Sequence, residues 1–216
     1  MKKIVYYWSP CLTKVGTVKS TLNSAIALSK YNANFDVRII NVFGEWTEYS
    51  KILRENSIKL VNLFFDYKKF LPKYGFFKSR FSYLLIIFFS FIPLIKLLKK
   101  EKPDYLIAHL ITSLPLLLFN IFSFKTKLIL RISGYPKLNF LRKKIWTKSE
   151  NFFFKVTCPT HELLNYLIDK KIFLKKNIVL LTDAILNIKD FLHKKEQNIE
   201  KKIPSNYFLS IGRFTK

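Results

Sequence analysis

Four short segments concentrate the side chains that could hold or transform a ligand. In Ser9 to Ser20 (SPCLTKVGTVKS), Gly16 and Thr17 stand between an expected strand and an expected helix. The first N–H groups of a helix lack partners within it and carry partial positive charge, so an anionic group suits that place. Gly16 is the only glycine there, and neither GxGxxG nor GxxxxGK[ST] can be written through it, which disfavours dinucleotide and P-loop readings. A plain turn glycine explains it equally well. His109 ends an apolar run and precedes Leu110-Ile111-Thr112-Ser113. That puts it at the carboxyl edge of a sheet, where ligands gather in open α/β folds. A strand-end His bonded to a nearby carbonyl is the alternative. One strand later, Arg131-Ile132-Ser133-Gly134-Tyr135-Pro136 offers two hydroxyls and a Gly that lets backbone approach a ligand, although a strand-to-loop turn also accounts for Gly134 and Pro136. The fourth segment is Ile211-Gly212-Arg213-Phe214-Thr215-Lys216, which follows a short apolar run.

Other chemistries find no footing. No GxSxG occurs, the three His are scattered, and paired carboxylates of the glycosidase kind are not evident, so hydrolase readings fall away. Cys11 and Cys158 are far apart and lack CxxC or Cys/His spacing, so neither a disulfide framework nor a zinc site is indicated and a reducing cytosol fits.

The elements that must position these segments alternate between strand-length apolar runs and longer periodic stretches, the pattern of a parallel sheet with crossover helices. Strands are expected at Lys3 to Tyr7, Phe35 to Val42, Lys59 to Phe64, Tyr105 to His109, Lys127 to Ile132, Phe154 to Thr157 and Asn177 to Leu181. Between the first two, Val18, Leu22, Ala25, Ile26 and Ser29 share one helical face. Further helices are expected at Trp46 to Glu55, Lys78 to Lys100, Leu114 to Phe122 with Pro115 in its first turn, Leu141 to Glu150, and from the cap at Pro159-Thr160-His161-Glu162. The fold class is therefore α/β, one open doubly wound parallel sheet over residues 1–186. A polar Lys/Glu-rich connection follows at 187–205, and 206–216 begins a further strand.

The chain has 38 Lys and Arg against 14 Asp and Glu, a net charge of +24. Such a charge suits nucleic acid or an anionic membrane surface. Only six of the cations are Arg, leaving 32 Lys, whereas base readers and phosphate clamps favour the bidentate Arg fork. Nucleic acid is accordingly not the expected partner. The excess of Lys, Ile, Asn and Phe reads partly as the coding bias of an AT-rich genome and otherwise as affinity for a membrane surface. MKKIVYYWSP holds too short an apolar run for a signal peptide. The run Leu84 to Leu98 falls short of the ~20 residues of a spanning helix and contains Pro93, so a buried or interfacial helix is expected over a span.

Taken in order, these pieces resemble glycosyltransferase family 4, the retaining enzymes of GT-B fold. The chain carries PDYLIAH (Pro103 to His109), LILRISGYPK (Leu128 to Lys137), VTCPTHELLNYL (Val156 to Leu167) and YFLSIGRFTK (Tyr207 to Lys216) in the family's order. The resemblance implies an N-terminal, acceptor-side Rossmann-like domain followed by the first strand of a donor-binding domain. It implies transfer of a sugar from a nucleotide-sugar to a membrane-associated glycan or glycolipid in cell-surface polysaccharide synthesis, with retention, without metal or other cofactor. Gly16, Thr17 and Arg213 would bind the donor diphosphate; His109, Thr112, Ser133, Gly134 and Tyr135 would bind the acceptor. Many family members have a His where this chain has Ser133, so no catalytic role is carried over to that place. The implied location is the cytoplasmic face of a membrane, bound peripherally, with an anionic membrane surface as partner. The competing expectation is a basic α/β binding module for a polyanion such as RNA, without enzymatic activity.

Overall fold

The computed structural model describes residues 2–13, 16–72, 76–185 and 188–197. The chain divides into two compact units, Met1–Ile185 and Leu186–Lys216. In the first, the strands are β1 (Lys3–Trp8), β2 (Phe35–Asn41), β3 (Lys59–Asn62), β4 (Tyr105–Ala108), β5 (Lys127–Arg131), β6 (Phe153–Cys158) and β7 (Ile178–Leu180). The helices are α1 (Gly16–Tyr31), α2 (Ser50–Glu55), α3 (Phe76–Glu101), α4 (Ser113–Ile121), α5 (Phe140–Lys148) and α6 (His161–Asp169). Every strand pairing is parallel, in the order β3-β2-β1-β4-β5-β6-β7. The chain winds outward from β1 to β3, then returns across α3 to β4 and winds the other way. The carboxyl ends of β1 and β4 therefore flank the switch point at which open α/β sheets bind ligands.

Strand β1 shows why the sheet reads as unbroken apolar runs. Its residues Val5 to Trp8 are all buried, Val5 and Tyr7 against one layer, Tyr6 and Trp8 against the other. A parallel strand covered on both faces has no polar side to alternate with. On one face α1 and α2 bring Val18, Leu22, Ala25 and Leu53 to Val37 and Ile39. On the other, Ile86 of α3, Leu116 of α4, Trp146 of α5 and Leu163 of α6 join Leu106, Leu130 and Val156.

Two departures from the expected bounds have a visible physical cause. The helix expected over Trp46 to Glu55 begins as a 3-10 turn, Thr47–Tyr49, before α2. Side chains hold the amides of the turn that leads into it: Asn41 Oδ1 accepts from Trp46 N at 3.0 Å, and the Glu45 carboxyl accepts from Val42 N and Phe43 N. Strand β3 stops short of the apolar run that predicted it. Phe64 and Phe65 leave the sheet and pack near one another, their ring centroids 4.6 Å apart, with Phe64 stacked on Phe89 of α3 at 5.8 Å.

In the second unit, the polar stretch expected as a connection contains helix α7 (Ile188–Glu196). The strand expected at Tyr207 to Ile211, and Arg213 with it, lie outside the described residues.

Candidate functional site

The switch point holds a chain of hydrogen bonds that joins four segments, the ends of β1, β4 and β5 and the helix α1. His109 follows β4, and its amide donates to Trp8 O at 2.9 Å, extending the β1–β4 ladder by one step. This fixes the imidazole between α1 and the loop after β5. Nδ1 lies 2.9 Å from Thr21 Oγ1 on α1, Thr21 donates to Ser9 Oγ at 3.2 Å, and Nε2 meets Ser133 Oγ. Because Thr21 gives its proton to Ser9, it faces His109 as an acceptor. The imidazole proton then sits on Nδ1, and Nε2 accepts the Ser133 hydroxyl. Ser133 keeps lone pairs for a ligand's hydroxyl.

His109 is 5 % exposed. Burial, with the neighbouring Arg131 charge second, pushes its pKa from 6.5 down to about 4. It is therefore neutral near pH 7 and too weak a base to take a proton efficiently. Its part is to hold Ser133 and Thr21 in place. Arg131, also buried, turns to the other side, where Nη2 lies 2.7 Å from Asp183 Oδ1 and donates to Ser20 Oγ at 2.6 Å. Asp183 thus pairs with the guanidinium whose charge acts on the imidazole.

Around this core a cavity of about 370 Å³ opens, lined by His109, Thr112, Ser133, Gly134 and Tyr135, the five residues read from the sequence as one group. Tyr83, Arg142 and Trp146 also line it and were not singled out in the sequence. Tyr83 belongs to α3 and meets Ser113 Oγ at 2.7 Å; Arg142 belongs to α5 and lies over the Trp146 ring at 5.9 Å. Their only sequence signal was membership of basic, aromatic helices. Thr112 precedes α4 without capping it through its side chain, so its hydroxyl is uncommitted to the helix end. Tyr135 packs edge-on against Tyr166 at 5.2 Å.

The loop beneath is strained. Ile111 has φ 48°, a left-handed conformation that β-branched residues avoid at a cost on the order of 1–3 kcal/mol. The Trp8 indole N–H, donating to Ile111 O at 3.2 Å, helps hold it there.

Gly16 opens α1, and Thr17 Oγ1 is a buried atom without a hydrogen-bond partner. Thr21 lies one turn further along the same helix, so this helix start borders the His109 network. The first turn of α1 carries no acidic side chain. A Cβ added at Gly16 or at Gly134 would meet nothing within 4 Å, and neither residue has a positive φ. Glycine at these two positions is not demanded by backbone or packing, and the space beside each is open. The thiols lie apart from this chemistry. They form no disulfide; Cys11 Sγ donates to Thr13 O, and burial pushes the Cys158 thiol up to about 12.

No known protein family and no curated protein matches the chain in sequence. Among solved structures it is similar to the UDP-GlcNAc 2-epimerase from Neisseria meningitidis bound to UDP-GlcNAc, with TM-score 0.55 and 13% identity over 86% of this chain and 47% of that one. It is also similar to the calicheamicin glycosyltransferase CalG4, with TM-score 0.46 and 12% identity over 88% of this chain and 45% of that one. The chain thus spans under half the length of each. With its seven parallel strands and helices on both faces, the first unit has the Rossmann-like α/β architecture of one half of a GT-B fold.

Proposed function

We propose that this chain is the acceptor-side half of a nucleotide-sugar glycosyltransferase. It would act on a membrane-associated glycan or glycolipid in cell-surface polysaccharide synthesis, with retention and without a metal. The observation that carries the reading is the neutral Ser9–Thr21–His109–Ser133 network at the switch point of a GT-B-type half-domain. Such a network suits hydroxyl-rich ligands, because each member both donates and accepts and none brings a net charge. In this reading the acceptor lies along Thr112, Ser133, Gly134 and Tyr135. The donor diphosphate faces Gly16 and Thr17 at the start of α1, where the helix dipole favours negative charge. Arg213 would add a cation as leaving-group charge develops. His109 positions Ser133 and is not the base.

The similarity to an epimerase that binds UDP-GlcNAc supports nucleotide-sugar recognition as the shared element, and the assay must separate the two chemistries. Membranes from cells expressing the gene would be given a panel of radiolabelled nucleotide-sugars, and lipid-linked and glycan products would be scored against epimerised sugar. Transfer that falls at least about tenfold in Ser133→Ala, with protein level and melting temperature retained, is the expected outcome. Epimerised product without transfer would reject the glycosyltransferase reading. Retention on RNA with a steep salt dependence and no sugar chemistry would instead support the polyanion-binding module.

A further inference from the structure

Helix α3 presents two opposite faces with different chemistry. Ser82, Ile86, Ser90, Leu94 and Leu98, every fourth residue, are 0–2 % exposed and lie on the sheet side. On the other side Phe81, Leu84, Phe88 and Ile92 are 57, 63, 75 and 60 % exposed. These four fall at spacings of three and four and make one stripe along the helix. Phe64 and Phe65 widen it, since Phe88 lies 5.6 Å from Phe89, the ring on which Phe64 stacks. A contiguous exposed apolar patch of this kind marks an interaction surface.

Charge identifies the partner. Residues 67–100 carry eight Lys or Arg and no Asp or Glu. A second copy of this chain would bring the same positive charge against itself, whereas an anionic bilayer accepts both the aromatic stripe and the flanking cations. By length and composition the stretch Arg80–Glu101 would also suffice to cross a membrane. Its inner face, however, is part of the core beneath the sheet, so the helix lies along the domain. We infer that the stripe Phe81, Leu84, Phe88 and Ile92 is a docking surface that beds α3 in the plane of an anionic lipid bilayer. The inference deepens the membrane-surface element of the proposed function, yet its test involves no sugar chemistry.

Flotation of the purified protein with vesicles tests it, using phosphatidylcholine containing phosphatidylglycerol beside phosphatidylcholine alone. The protein should float with the anionic vesicles, detach as salt rises and be stripped by alkaline carbonate. The double variant Phe81→Ser/Phe88→Ser should bind roughly tenfold more weakly with an unchanged melting temperature, because both rings are exposed. A second variant, Lys96→Glu/Lys99→Glu, should lose binding to anionic vesicles while keeping the fold. No flotation, equal capture by neutral vesicles, or a folded Phe variant that binds as the parent does would overturn the proposal. So would resistance to carbonate, or a concentration-dependent dimer that the Phe substitutions abolish. Absence of transfer activity with intact vesicle binding would count against the sugar reading alone.

Discussion

Replacing His109 or Glu45 by Gln, one at a time, should tilt the pH dependence of stability in opposite directions. His109 is neutral in the fold with its pKa lowered from 6.5 to about 4. Below pH 6.5 the unfolded chain takes up a proton that the folded chain refuses. Its contribution is therefore complete above 6.5 and lost as pH falls towards 4. Glu45 is buried, and desolvation raises its carboxyl from 4.5 to about 7 despite the amides of Phe43 and Val42 that favour the ionised form. Here the folded chain holds the proton more tightly, so the contribution is complete below 4.5 and lost as pH rises towards 7. At about 1.4 kcal/mol per tenfold change in proton affinity, each effect is worth about 3 kcal/mol across its window. The windows overlap and the signs oppose, so between pH 4.5 and 6.5 the two largely cancel in the parent protein. Urea unfolding at a series of pH values reads this directly. His109→Gln should lose stability with rising pH, and Glu45→Gln should gain it, each by about 2–3 kcal/mol over that interval. Slopes are compared, so a general loss of stability in either variant does not affect the outcome. Parallel curves for parent and both variants would refute the burial argument for these groups.

The largely buried pair Arg131–Asp183 supplies a second prediction: Asp183→Ala leaves the guanidinium, among the described residues, with Ser20 as its hydrogen-bond partner and should cost about 3–5 kcal/mol by chemical denaturation. The double variant Arg131→Met/Asp183→Leu should recover much of that loss. Two glycines predict a contrast in thermal melts. Gly44 has φ +94 and a Cβ there would stand 2.2 Å from Asp66 Cγ, so Gly44→Ala should cost more than about 1 kcal/mol. Gly134→Ala, with open space around it, should stay within about 0.5 kcal/mol of the parent.

All seven strands were legible as sequence because a parallel sheet buried on both sides writes itself as uninterrupted apolar runs. The capped start of α6 was legible for a local reason too: Thr160 accepts from Leu163 N at 3.2 Å, a bond within one turn. The edge residues His109, Thr112, Ser133, Gly134 and Tyr135 could be grouped from the sequence, since strand ends in such a sheet converge on one side. Their partners could not. Thr21 lies 88 residues from His109 in the chain, and Asp183 lies 52 residues from Arg131; no periodicity links positions so far apart. Tyr83 and Arg142 were hidden for the same reason, each sitting in a helix whose composition spoke only of charge and aromatic content. The sequence by itself determined the sheet, its winding and the edge where a ligand would gather, because these follow from local pattern and the rules of crossover connection. Only the tertiary structure decided that His109 is neutral, that Arg131 is paired and which side of α3 is bare, because burial and partner choice are set by contacts between segments distant along the chain.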